Sequence, residues 1–202
     1  MTILVCCVLV YLFTRQKRKE TVVQILCGYV CFMFLLECSS YLTAEFFKNN
    51  LFFSHVYFWG QVLFFCAFYL RVNTKKYQIR ILKIYLVLFI SILGAYYLVY
   101  PSTFLKVNEI EAIGANYLLL LCSLFFLLNK DKRKQVFSLI NYAVLVWSVI
   151  DLAVFLFGNT LVEMEERYAI IVWLVRMIGL IGFYSLFLAQ GIKFYRTKSL
   201  KL

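Results

Sequence analysis

The chain has 202 residues, 64% of them hydrophobic and 19% aromatic, with one proline and a formal charge of +11 from 21 basic and 10 acidic side chains. A soluble core of this size cannot hide so much apolar surface, so the excess must face lipid and an ordinary soluble domain is excluded. Because the apolar runs lack the two-residue alternation of barrel strands, the fold class that remains is all-α, a polytopic transmembrane bundle.

Seven apolar runs follow one another at residues 3–13, 22–42, 51–70, 79–100, 112–128, 136–157 and 168–192. Crossing a bilayer takes roughly 20 residues, which the second, third, fourth, sixth and seventh runs reach. The fifth spans if Glu111 and Asn129 sit at the interfaces. The first run is short: at about 1.5 Å per residue it covers about 16 Å of a hydrocarbon core of about 30 Å, as a tilted half-span or an interfacial helix. It does not read as a secretory signal, because its basic residues follow the apolar stretch and no small-residue cleavage site appears. The expectation is seven helices, or six if the first run does not cross, forming a single transmembrane domain over residues 1–202. Asn49 and Asn50 break the chain ahead of the third run, and Pro101 stops the fourth. Short gaps make sequential helices antiparallel neighbours in an up-down bundle. The absence of an internal repeat argues against a transporter built from inverted halves.

The gaps between runs differ in charge. Arg15, Lys17, Arg18 and Lys19 fill the first, Arg71, Lys75, Lys76, Arg80 and Lys83 the third and the adjoining start of the fourth run, Lys130, Lys132, Arg133 and Lys134 the fifth, and Lys193, Arg196, Lys198 and Lys201 the tail. Only Lys48, Lys106, Arg167 and Arg176 lie elsewhere. By the positive-inside bias the four basic segments are cytoplasmic, which puts the N-terminus out and the C-terminus in. Short basic loops also attract anionic lipid headgroups, so the expected partners are that lipid surface and a protein partner or second copy, with no direct nucleic-acid binding.

The seven cysteines, Cys6, Cys7, Cys27, Cys31, Cys38, Cys66 and Cys122, all fall inside the runs and read as small packing residues. With one histidine and no Cys-x-x-Cys pair, neither a metal nor a cofactor is expected. Aromatics near the outer boundary, among them Tyr41, Trp59, Tyr96, Tyr100 and Tyr168, read as an interfacial belt.

Away from the ends of the runs, three charged residues lie within them: Glu37, Asp151 and Arg176. Each costs about 2.5 kcal/mol or more at a helix centre and should face the bundle interior with a partner. Counting from the outer ends, all three sit about 9 to 12 Å deep. His55, Gln61 and Asn116 share that outer layer, whereas the inner half offers Asn141 and Gln190 and little else. The candidate site is therefore a ligand-binding or buried polar layer of Glu37, His55, Gln61, Asn116, Asp151 and Arg176. Asp151 and Arg176, on consecutive runs at matching depth, form the preferred ion pair, and Glu37 needs His55 or Gln61. The alternative use of these groups is interhelical adhesion without a ligand. A metal-free hydrolase would combine Ser39 or Ser40 with His55 and Glu37, but their spacing is not diagnostic, and no catalytic residue is assigned. A retinal protein would need a lysine where the last run has Arg176.

The stretch Glu37-Cys-Ser-Ser-Tyr-Leu, then Asn49-Asn50-Leu51, His55-Val-Tyr57 and Phe64 to Tyr69, resembles small uncharacterised seven-helix inner-membrane proteins of Bacteroidota. The resemblance covers residues 37–70, and Gln61 stands near where that group carries a glutamate. It implies a bacterial inner-membrane protein, some of whose relatives look like sensory input modules. Membrane proteins of similar size also accompany RNA-targeting CRISPR effectors in these bacteria. The resulting expectation is a non-enzymatic sensor or regulatory partner acting through the polar layer. The alternative is a membrane accessory of an antiviral, CRISPR-type system, pore-forming on oligomerisation, and a lipid hydrolase ranks third.

Overall fold

The computed structural model describes residues 21–47, 52–73, 75–105, 108–129, 137–156 and 166–199, and among them all regular structure is helical. The long helices are α1 (Thr21–Phe47), α2 (Phe52–Val72), α3 (Lys76–Val99), α4 (Glu109–Leu127), α5 (Ser138–Leu156) and α6 (Glu166–Ser199). They correspond to the second to seventh apolar runs, and each is long and apolar enough to cross a membrane. The chain is thus a multi-pass helical membrane protein. The run at residues 3–13, the Asn49-Asn50 break and the basic gap around Lys132 lie outside the described residues.

Local chemistry sets the element ends. Proline lacks an N–H and disfavours helical backbone in the residue before it, so α3 stops at Val99 and Pro101–Leu105 continues as a short 3-10 turn. The Tyr100 N–H closes the last turn on the Tyr96 carbonyl at 2.8 Å. Asn108 caps α4, its side-chain oxygen accepting from the Glu111 N–H at 3.3 Å, and Glu109 and Glu111 complement the positive end of the helix.

The main interfaces join α1 to α2, α2 to α4, α4 to α5 and α5 to α6. The up-down expectation needs one correction: α2 packs principally on α4 rather than on its sequence neighbour α3. The buried positions of α3, Gln78, Leu82, Phe89, Leu93 and Tyr97, form one narrow stripe, which packs chiefly on α4 and meets α2 mainly through side chains such as Phe89 on Trp59 and Tyr97 on His55. The rest of α3, including Ile84, Val87, Leu88 and Ile92, is exposed, as lipid contact requires. By contrast α2 buries Phe58, Val62, Phe65, Phe68 and Tyr69 almost completely.

Glycine lets α1 and α2 close on each other. A Cβ on Gly60 would overlap the Phe32 ring, and one on Gly28 would come within 3.0 Å of Phe64, so each helix has a notch for a ring of the other. Beside this seam Tyr29, Phe65, Phe183 and Phe187 stack at centroid distances from 4.6 to 6.3 Å. Ring pairs at such distances add about 0.5 to 1.5 kcal/mol each beyond their burial. These rings carry the contact of α6 with α1, and the two backbones do not pack closely.

Candidate functional site

Asp151 on α5 is fully buried, and both of its oxygens have donors. Arg176 on α6 donates from Nε to Oδ1 at 2.9 Å, and Asn116 on α4 donates from Nδ2 to Oδ2 at 3.1 Å. A carboxylate in hydrocarbon demands this arrangement, because without donors its burial would cost more than packing returns. The Arg176 guanidinium carbon lies 5.4 to 5.5 Å from the ring centroids of Trp147, Phe155 and Trp173, a setting in which ring faces attract the cation. Tyr57 stands beside Arg176, its hydroxyl oxygen accepting from Trp147 Nε1 at 3.0 Å and from Gln61 Nε2 at 2.5 Å. Asp151, Arg176, Asn116 and Gln61 are therefore brought together, with Tyr57 and Trp147 linking them.

This cluster backs a cavity of about 510 Å³ walled by α1, α2, α5 and α6. Arg176 is on its wall with 24% of the side chain exposed, while Asp151 is sealed behind it. Glu37, Ser40 and Tyr41 contribute from α1, and Ser54 and Tyr57 from α2; most of the remaining lining is apolar or aromatic. Glu37 does not meet His55 or Gln61, contrary to expectation. The Tyr184 hydroxyl of α6 donates to Glu37 at 3.4 Å instead.

His55 is elsewhere because its side of α2 faces α3 and α4. There its Nδ1 bonds Glu111 at 2.5 Å, and Tyr97 bonds both, at 3.0 Å to His55 and 2.7 Å to Glu111. Asn108 Nδ2 donates to the Tyr97 hydroxyl at 3.1 Å. Glu111, in the first turn of α4, turns its side chain into the bundle and is fully buried among protein groups. Its capping position gave a signal: Asn108-x-x-Glu111 has the spacing of a helix cap and marks a helix start that can be tucked inward. Tyr97 offered none, since its hydroxyl is hidden among the belt aromatics.

The other end of the bundle also holds more than Asn141 and Gln190. Tyr69 and Ser123 donate to Asn141 Oδ1 at 2.8 and 2.9 Å, and Asn129 donates to Gln78 at 2.5 Å and to Asn73 at 3.4 Å. Gln190 is fully buried, and its amide has no hydrogen-bond partner among the described residues. Tyrosines and a serine inside apolar runs do not register as polar when charge alone is sought.

The pairing a hydrolase would need is not assembled. Ser40 lines the cavity and Ser39 is exposed, whereas His55 is turned toward Glu111 and is not part of the wall. Among the described residues no three His, Cys, Asp or Glu side chains cluster as metal ligands would. Cys27, Cys31, Cys38, Cys66 and Cys122 are free thiols, and Cys66 and Cys122 lie side by side in the core. Compared with family models, curated proteins and solved structures, the chain matches none.

Proposed function

We propose that the chain is a non-enzymatic inner-membrane protein that works as a sensor or regulatory partner, with the cavity between α1, α2, α5 and α6 as its input site. One observation carries the reading: Arg176 is half of an ion pair whose other half is sealed, yet its own side chain reaches the cavity wall. A ligand contacting Arg176 alters the balance of forces on the link between α5 and α6. Helix α6 can respond, because rings rather than closely packed backbone hold it to α1. A shift of α6 against α5 would be transmitted along a 34-residue helix toward the basic tail, where a protein partner could read it. The resemblance to Bacteroidota membrane proteins with sensory relatives supports the same reading.

The test is a distance measurement between spin labels on Ser39 of α1 and Leu174 of α6, both exposed, in full chain freed of its native cysteines and held in lipid nanodiscs. Neutralising the pair together, as Asp151→Asn with Arg176→Gln, is expected to redistribute the population between two separations. A single distribution, identical in both proteins, would remove the proposal.

A further inference from the structure

We infer that a groove on the lipid-facing side of the seam between α5 and α6 holds one acyl chain of an anionic phospholipid, with its headgroup at the end of the bundle that carries the basic segments. The site is separate from the cavity that Arg176 lines, and it stands or falls without the sensor reading.

The groove has a volume of about 350 Å³ and is walled by α5 from Ala143 to Ile150 and by α6 from Val175 to Leu186. Trp147 and Phe183 are buried at its base, while Val146, Val175 and Ile178 are more than half exposed, so it opens outward. Glycine makes the space. A Cβ on Gly179 would press on Ile150 at 2.8 Å, which marks the close approach of the two helices, whereas a Cβ on Gly182 would meet nothing within 4 Å. The one polar group in the lining, the Trp147 indole N–H, is already given to Tyr57, and every other lining residue is aliphatic, aromatic or glycine. An occupant must therefore be apolar along the whole groove.

Length and charge identify it. At about 1.5 Å per residue the α6 wall runs for about 16 Å, half of a hydrocarbon core of about 30 Å and so the reach of an acyl chain from one leaflet. Depth does not choose the leaflet, because Ala143 lies about 8 Å from the start of α5 and Ile150 about 9 Å from its end. Charge does. The chain enters α5 from a segment with Lys130, Lys132, Arg133 and Lys134 against Asp131, and it leaves α6 through one with Lys193, Arg196, Lys198 and Lys201. Between the apolar parts of the same two helices, at their opposite ends, stand Glu163, Glu165 and Glu166 against Arg167. An anionic headgroup is attracted to the first end and repelled from the second. Tyr142, about half exposed and one turn from Val146 toward the basic end, has a hydroxyl that can donate to an ester or phosphate oxygen there. A lipid held in this way packs on both sides of the seam whose movement the sensor reading invokes.

Full-length protein in detergent micelles is titrated with dioleoylphosphatidylglycerol and dioleoylphosphatidylcholine, which share their acyl chains, and bound lipid is counted by native mass spectrometry. The expected result is one phosphatidylglycerol bound with an affinity at least threefold above that of phosphatidylcholine. Gly182→Leu, which fills the groove from α6, should lower the phosphatidylglycerol affinity at least threefold, and Val146→Phe should do the same from α5. A smaller preference, or a smaller loss in either variant once folded, overturns the inference. A dimer that forms in the parent and is lost in Gly182→Leu, with lipid binding unchanged, gives the groove to a second copy and overturns it too. If neither variant folds, the lipid preference of the parent decides. The sensor reading is tested apart from this, by the separation of labels on Ser39 and Leu174.

Discussion

The bundle carries two buried polar assemblies, each built around a carboxyl group, at the end where α1 joins α2, α3 joins α4 and α5 joins α6, and they solve the same burial problem in opposite ways. His55, Glu111, Tyr97 and Asn108 are enclosed by α2, α3 and α4, each at most 9% exposed. Asp151 is equally enclosed, but its partner Arg176 opens onto a cavity. A carboxylate in lipid needs donors wherever it sits, so donors alone do not distinguish structure from function. Access does. The closed assembly ties α2, α3 and α4 together, whereas the open one presents a charge to whatever enters.

The largest expected effect tests whether Asp151 and Arg176 form one unit. Asp151→Ala strands a largely enclosed guanidinium and should cost about 3 to 5 kcal/mol of stability, measured by reversible unfolding in mixed micelles. Asp151→Ala combined with Arg176→Ala should cost less than Asp151→Ala alone. Additive losses would dissolve the pair and with it the contrast between the two assemblies. Next comes the closed assembly. Glu111→Ala leaves His55 and Tyr97 without a shared acceptor and should cost about 1 to 3 kcal/mol while leaving the Ser39–Leu174 label separation as in the parent. A redistribution of that separation as large as that of the Asp151→Asn, Arg176→Gln protein would show that the two assemblies are one site.

The smallest effects concern packing beside the cavity. Gly60→Ala forces the Phe32 ring aside and should destabilise by about 1 kcal/mol. Gly182→Ala meets nothing within 4 Å and should stay within about 0.5 kcal/mol of the parent. Thermal denaturation of the two variants side by side checks this. Equal losses would mean that the α1 and α2 seam is no tighter than the surface of α6.

The six described spans were legible because a run of about 20 apolar residues has few other uses. The contact of Arg176 with Asp151 was legible for a related reason: two opposite charges at matching depth on consecutive helices have every incentive to meet. Rotation of a helix about its axis is what the pattern does not record. It sends His55 toward Glu111 rather than Glu37, and the even apolarity of α2 gives no face from which to read it. The packing of α2 on α4 escaped for the same reason, since short loops specify neighbours only when both helices have room for each other. Glu111 sat at the edge of an apolar run, where the pattern does not say whether its side chain turns to solvent or into the bundle.

The most direct test of the open assembly is thiol accessibility at Ser40, on the cavity wall, in a chain whose seven native cysteines are replaced by alanine. Ser40→Cys should react with a membrane-impermeant maleimide added from the side opposite the basic loops, while Ser123→Cys, buried beside Asn141, stays unreactive from either side. A Ser40→Cys chain that is inert from both faces, or labelled only from the side of Lys75 and Lys193, would contradict the account.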